Sequence, residues 1–529
     1  MVYWALSPFY GRMVAHCDGG CALADEGTRE SPENGEDRGH NLKSPHAWVA
    51  STYFAEGYPY SVIHNVVDVF FKEFGASLHV IGLTSLFHLP WNLKFLWGPF
   101  LDAFGTKRQW ILLTEVFTVV FLLGLALGST SGAVIGVSSV LFAGLAIVSA
   151  TQDIAIDGYY LEALDTRDQS RFVGYRAAAY RLAMLFVSGP LLIVVGRVGW
   201  LPGLLLAAVP MGILLFFHAW ALPRVERARR PLSALFASVF RPRVWFGLGL
   251  LAAFCTLGWM LFDSQWWGGV WGAMSDALPW LGRISVGGWV GLGLLGVLLV
   301  LLFLSRRMRM PAGDEAGFYR EAFVDFLNQP RIHAILAFVI LFRVGESFLV
   351  KMRYPFLSEL GMTVESYGIA NGTFGMFASF VATIVGGMLI SRHGLRRWIW
   401  PFVLSQNVLN LLFMALAWHV GGEMGPTGDG LAFWLLSVVI TAEQFGAGLG
   451  TAVFMVYLMR CCRPDYKAAH MAILTALMSV GFTVAGVASG FLAEELGFTL
   501  YFGLTFVATV PGMLLIFFIP HLDDQLAEA

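Results

Sequence analysis

The stretch "GPFLDAFGTKR" (Gly98–Arg108) returns far down the chain as "GMLISRHGLRR" (Gly387–Arg397). Both read G-x-x-x-[DS]-x-x-G-x-[KR]-R, so Gly98, Asp102, Gly105, Lys107 and Arg108 correspond to Gly387, Ser391, Gly394, Arg396 and Arg397. Glycine lets helices approach and lets the chain turn sharply, and trailing bases hold a loop on one side of a membrane. Asp102 can cap or pair across that face; Ser391 replaces it in the second copy. Each copy follows the second span of a run of apolar segments, and a repeat at equivalent places marks a duplicated helical bundle.

The composition agrees. The chain has 529 residues, 57% hydrophobic and 13% charged, and its mean hydropathy is +0.67. A soluble protein of this length needs far more polar surface. Apolar windows of about 20 residues recur, each long enough to span the bilayer as a helix that satisfies its own backbone. The expected fold class is therefore an all-α polytopic membrane protein of about fourteen spans. Two six-helix bundles are expected at 47–222 and 333–519. Between them, 223–332 holds a basic linker, two additional transmembrane helices near 244–264 and 284–304, and the amphipathic stretch "EAGFYREAFVDFLNQPR". Residues 1–46 read as a disordered tail without the basic start and apolar core of a secretory signal, and 520–529 as a second tail. With the termini inside, the inner segments hold 26 of the 34 Lys and Arg residues, which places both termini in the cytoplasm.

Several function classes are excluded. The net charge of −2, with no basic aromatic-interleaved patch, offers nothing to nucleic acid. No nucleotide-binding loop, zinc-protease motif or nucleophile elbow is present, so the chain reads as no enzyme, with no cofactor. Cys17, Cys21 and His16 give one weak metal-like pair in the polar tail, short of the four ligands of a structural zinc site.

The chemistry sits in "ATQDIAIDGYYLEAL" (Ala150–Leu164), at the end of an apolar span. Asp153 and Asp157 stand four apart, on one helix face, with Gln152 beside them. A carboxylate in the bilayer centre costs about 3 kcal/mol unless it meets water, a cation or a proton. Lys94 and Arg181, each mid-span, are candidate cations for a network with these acids. Glu56 precedes Gly57 and Pro59, which loosen the first helix and free backbone groups. Arg343 and Glu346 are three apart in a later span, a same-helix ion pair. Glu443 and Gln444 lead into Gly446, Gly448 and Gly450, which thin their helix for packing or bending. His470 reads as structural.

The repeated loop resembles that of major facilitator transporters. "LKFLWGPFLD" (Leu93–Asp102), "ATQDIAIDGYYLEAL", "YRLAML" (Tyr180–Leu185), "FRVGESF" (Phe342–Phe348) and "EQFGAGLGTAVF" (Glu443–Phe454) resemble the branch containing AmpG-type muropeptide permeases and acetyl-CoA transporters. The resemblance implies the major facilitator fold with a central cavity, alternating access and proton-coupled import of a muropeptide or related small solute. It implies a multi-pass protein of the cell inner membrane, monomeric, whose partners are the lipid bilayer, a small-molecule substrate and protons. By position it makes Gln152, Asp153 and Asp157 the leading site residues, followed by Lys94, Arg181, Arg343 and Glu346. Two departures bear on the substrate. Glu56 falls where the permeases carry a small residue, and those permeases place additional spans at the C-terminal end. A transporter or antiporter of a CoA-like or amphiphilic anion is the alternative. A transport-inactive sensor or an acyltransferase is another, though His64 and Asp68 form only half of an acyltransferase site.

Overall fold

The first motif ends in a capped helix start. Gly105 adopts φ 66°, a left-handed backbone that suits glycine. The Thr106 hydroxyl accepts the Gln109 backbone N–H at 3.2 Å, and the Thr106 N–H donates to Gln109 Oε1 at 3.0 Å. This reciprocal box satisfies two otherwise orphaned donors and starts the helix Lys107–Gly128. Arg108 donates to the carbonyls of Ala219 and Leu222 at 2.6 and 3.2 Å, closing the negative C-terminal end of another helix. Lys107 is buried against Gly158, where an added Cβ would come within 2.6 Å of Lys107 Cε. The second motif turns at Gly394 (φ 82°), yet Arg396 and Arg397 are exposed. Gly98 does not bring helices together: among the described residues nothing lies within 4 Å of a Cβ placed there.

The computed structural model describes residues 45–94, 97–224, 324–419, 430–463 and 467–522, with scattered residues between 230 and 277. The two additional spans, the N-terminal tail with Cys17 and Cys21, most of the amphipathic stretch and the Asp102 side chain lie outside the described residues. In the first bundle, α1 (45–73) contains a π-helical turn at Val62–Val66. α2 (78–103) is segmented, with a 3-10 stretch at Thr84–His88. α3 is Lys107–Gly128, α4 is Val134–Ala163, α5 spans 166–198 with a π-helical turn at Val187–Leu191, and α6 is Trp200–Ala221. In the second, α7 spans 332–359, α8 spans 364–393 with a π-helical segment at Gly368–Gly375, α9 spans 395–419 and α10 is Gly430–Arg460. The helix Lys467–Leu515 breaks at Gly497 (φ 68°) into α11 and α12.

Within the first bundle α1 packs along α5, and α3 lies against α4 and α6; within the second α10 packs along α8 and α9. Among the described residues nine helices are long and apolar enough to cross a membrane. Their outer faces carry large apolar side chains, with Val140 and Phe216 73% and 78% exposed, which only a hydrocarbon surround accommodates. The described helices thus form two bundles of six, the all-α polytopic architecture expected from the repeat.

The two bundles meet mainly at the end away from the loop motifs. There α2 crosses α11, α5 crosses α8, and the end of α1 meets α7. Glycines line both crossings. A Cβ at Gly490 would collide with the Leu78 carbonyl, and one at Gly372 with the Ser188 carbonyl. Polar pairs reinforce the seam. Lys351 donates to Asp68 and to Thr84, both at 2.6 Å, and Tyr354 donates to Glu73 at 2.6 Å. Lys72 meets Glu359 at 3.0 Å and Arg197 meets Glu365 at 2.7 Å.

Candidate functional site

Pro59 sets the local geometry of α1. It has no N–H to give the Ala55 carbonyl four residues back. Gln152 of α4 fills the gap, its Nε2 donating to Ala55 O at 3.3 Å. The loosened turn thus frees a backbone group, but the group turns to α4 instead of a cavity. Gln152 becomes a strut between α1 and α4.

The strut holds three charged groups together. Asp153 is paired with Lys94 of α2, and their side chains are 5% and 38% exposed. Glu56 of α1 is buried close enough to Asp153 for the two carboxyls to interact, and its Oε2 has no hydrogen-bond partner among the described residues. Two acids facing one lysine leave one negative charge uncompensated.

Asp157, although its charge acts on Glu56 and Lys94, has other direct partners. It accepts from the Tyr53 hydroxyl at 2.8 Å and from Arg176 Nη2 at 2.5 Å. The Arg176 guanidinium lies 4.2 Å and 4.5 Å from the ring centroids of Tyr53 and Tyr160. One turn of α4 therefore separates two acids with different cations. Arg181 joins neither: it packs over the Phe380 ring at 5.3 Å, across the seam to α8. Of the expected network, Lys94 meets Asp153 directly and feels Asp157 only through space, while Arg181 makes no direct contact with either acid among the described residues.

The second bundle carries matching buried charge. Arg343 grips Glu346 through two bonds of 2.9 and 2.6 Å, and Gln406 Nε2 donates to Glu346 at 2.9 Å. Arg353 donates to Glu443 at 2.7 Å and to Asn371 at 2.8 Å, while Gln444 donates to Asn371 at 2.9 Å. Lys351 and Arg353 are also buried inside α7. The signal was available: Arg343, Glu346, Lys351 and Arg353 crowd one apolar span. The glycines of α10 pack closely. Gly446 faces the Ser405 carbonyl, Gly448 the Ser379 carbonyl and Gly450 the Gln406 side chain. His470 is fully buried beside Phe326 and Asp325.

Two further clusters escaped the sequence. His218 of α6 bridges Glu115 of α3 at 2.5 Å and Ser51 of α1 at 2.9 Å. The order copies a hydrolytic triad, but His218 and Glu115 are fully buried, and the chain of bonds clips three helices together. The second cluster is aromatic. Tyr60 stacks on His64 at 3.6 Å and meets Trp91 edge-on at 5.2 Å, and His64 abuts His88 at 3.9 Å. Phe482 of α11 covers His88 from the other bundle at 5.1 Å. His88 Nε2 and Trp91 Nε1 have no partner among the described residues. Among those residues no three His, Cys, Asp or Glu side chains are placed to share a metal ion.

The sequence profile of the Major Facilitator Superfamily matches residues 332–527. An anhydromuropeptide permease of Escherichia coli (strain K12) is 22% identical over 480 residues, 88% of this chain and 77% of that relative. A putative transporter AmpG 2 of Rickettsia typhi is 27% identical over 225 residues, 42% of this chain and 52% of its own. A peptide transporter, POT, solved with sulfate, superposes with TM-score 0.61 at 14% identity, over 90% of this chain and 94% of that one. The E. coli xylose transporter XylE in its inward open conformation gives 0.51 at 12% identity, over 91% and 97%. At those identities the solved structures speak for the fold alone.

Proposed function

We propose that the chain, which is similar to AmpG-type permeases, is a membrane transporter of the major facilitator superfamily and no enzyme, and that it imports a muropeptide or related small solute by proton-coupled alternating access. In this reading it works as a monomer in the inner membrane, with both termini and the loop motifs on the cytoplasmic side. The transport unit is 47–222 with 333–519, and the intervening segment is an addition to it.

One observation carries the reading: Glu56, Asp153 and Lys94 form a cluster with one acid more than it has bases. Protonation of the acids loosens Lys94, and deprotonation recaptures it. Each state favours a different packing of α1, α2 and α4, which is how a proton biases a two-state protein. The bundles meet at the end opposite the motifs. With the motifs inside, that seam is the closed outer gate. The relative named as an anhydromuropeptide permease suggests the solute class.

The test is uptake of labelled anhydromuropeptide into proteoliposomes under an inward proton gradient. Asp153→Asn is expected to abolish gradient-driven accumulation, by at least tenfold, while solute exchange without a gradient continues. Accumulation at the parent level in Asp153→Asn would remove the cluster from coupling. Absence of any muropeptide flux in the parent protein would remove the solute assignment.

A further inference from the structure

Of the cations buried wholly or partly within the described helices, five are paired with a carboxylate, Lys94 with Asp153, Arg176 with Asp157, Arg343 with Glu346, Lys351 with Asp68 and Arg353 with Glu443, while Arg108 is satisfied by helix-end carbonyls. Arg181 differs. It is half-buried on α5, its one recorded partner is the Phe380 ring at 5.3 Å, and no carboxylate pairs with it among the described residues. An aromatic face supplies only a fraction of the compensation that a buried guanidinium needs. Arg181 also stands at the seam where α5 meets α8, the helices whose glycine crossing must open and close. The planar fork of arginine is suited to a carboxylate or phosphate taken bidentately.

From this charge accounting we infer that Arg181 is the anchor for an anionic group, carboxylate or phosphate, of the molecule bound between the bundles. The inference deepens the transport reading and rests on it: the solute carries at least one negative charge, and that charge completes the ion pairing of the seam. Two sources of the anion are to be separated. One is the solute. The other is a lipid headgroup, because an apolar cavity of about 990 Å³ lies between α5, α8 and α10, lined by Leu182, Leu185, Phe377, Trp434 and Phe445. Leu182 and Leu185 neighbour Arg181 on α5, so an acyl chain in that cavity would bring its headgroup near the same cation.

The experiment uses the purified full-length protein in nanodiscs of neutral phosphatidylcholine. Binding of an anhydromuropeptide, and of the same molecule with its carboxylates amidated, is followed by thermal shift. The amidated form is expected to bind at least tenfold more weakly. Arg181→Gln is expected to weaken the charged form by a similar factor and leave the amidated form unchanged, and Arg181→Lys is expected to recover part of the loss. Equal binding of both forms overturns the inference. If neither form binds, the muropeptide reading fails separately, and Arg181 is judged by inorganic sulfate and by nanodiscs of anionic phosphatidylglycerol. Stabilisation by sulfate that Arg181→Gln removes upholds an anion from solution. Stabilisation by phosphatidylglycerol alone assigns the lipid headgroup and overturns the solute anchor. No stabilisation by either overturns the inference outright.

Discussion

Gly372→Leu is expected to reduce solute uptake at least tenfold while leaving each bundle folded. Gly372 lies where α8 crosses α5, and a Cβ there would collide with the Ser188 carbonyl and carbon. Backbone on both sides leaves no rotamer that relieves the contact. An overpacking cost of about 1–3 kcal/mol, borne only by the conformation in which the bundles meet at this end, shifts the two-state balance about 5–150-fold. The seam then stays open. Ser85, fully buried where α2 meets α11, reports on it. In a background lacking the five native cysteines, Ser85→Cys should resist a membrane-impermeant maleimide and become reactive once Gly372→Leu is added. Parent-level uptake in Gly372→Leu, or an unreactive Ser85→Cys in that background, would mean that this crossing does not gate transport.

Glu443→Ala is expected to be the most destabilising single change in the second bundle. Arg353 and Glu443 are 3% and 1% exposed, and the deletion leaves the guanidinium with the neutral Asn371 and without its carboxylate. Removing one partner of a buried pair costs about 3–5 kcal/mol, and for a bundle of this size the melting temperature falls by on the order of 10 °C. The double variant Arg353→Met with Glu443→Leu removes both charges and should recover most of that loss, since apolar groups of similar volume replace buried pairs at little cost. Uptake measured on the double variant separates two roles for Glu443. Recovered transport makes the pair a structural clip. Recovered stability without transport makes Glu443 part of the coupling machinery.

Much of the site was legible because membrane burial makes charge conspicuous. Asp153, Lys94, Glu56, Arg343, Glu346 and Glu443 each interrupt an apolar run, and each turned out to be paired or clustered inside the bundles. What could not be read was who faces whom. Asp153 and Asp157 are on one face of α4, yet a single turn directs them to cations on α2 and α5. Lys351 and Arg353 could not be placed from the sequence, which gives no measure of how far α7 continues. The structure extends it to Glu359, and both side chains fall inside. Gln152 looked like a ligand-facing amide, but its partner is a carbonyl released by a proline almost a hundred residues away.

The sequence by itself determined the solvent, the recurrence of membrane-length apolar helices and the repeat of one loop motif. Those depend on local properties: apolar length against bilayer thickness, and a loop motif that repeats because the turn and anchoring chemistry repeat. Only the tertiary structure decided which end of the bundles is sealed, which acid meets which base, and that Arg181 has a ring where its neighbours have a carboxylate. Ion pairing and helix crossing join residues distant in the chain, and their outcome turns on ångström-scale approach between helix faces that no local pattern records.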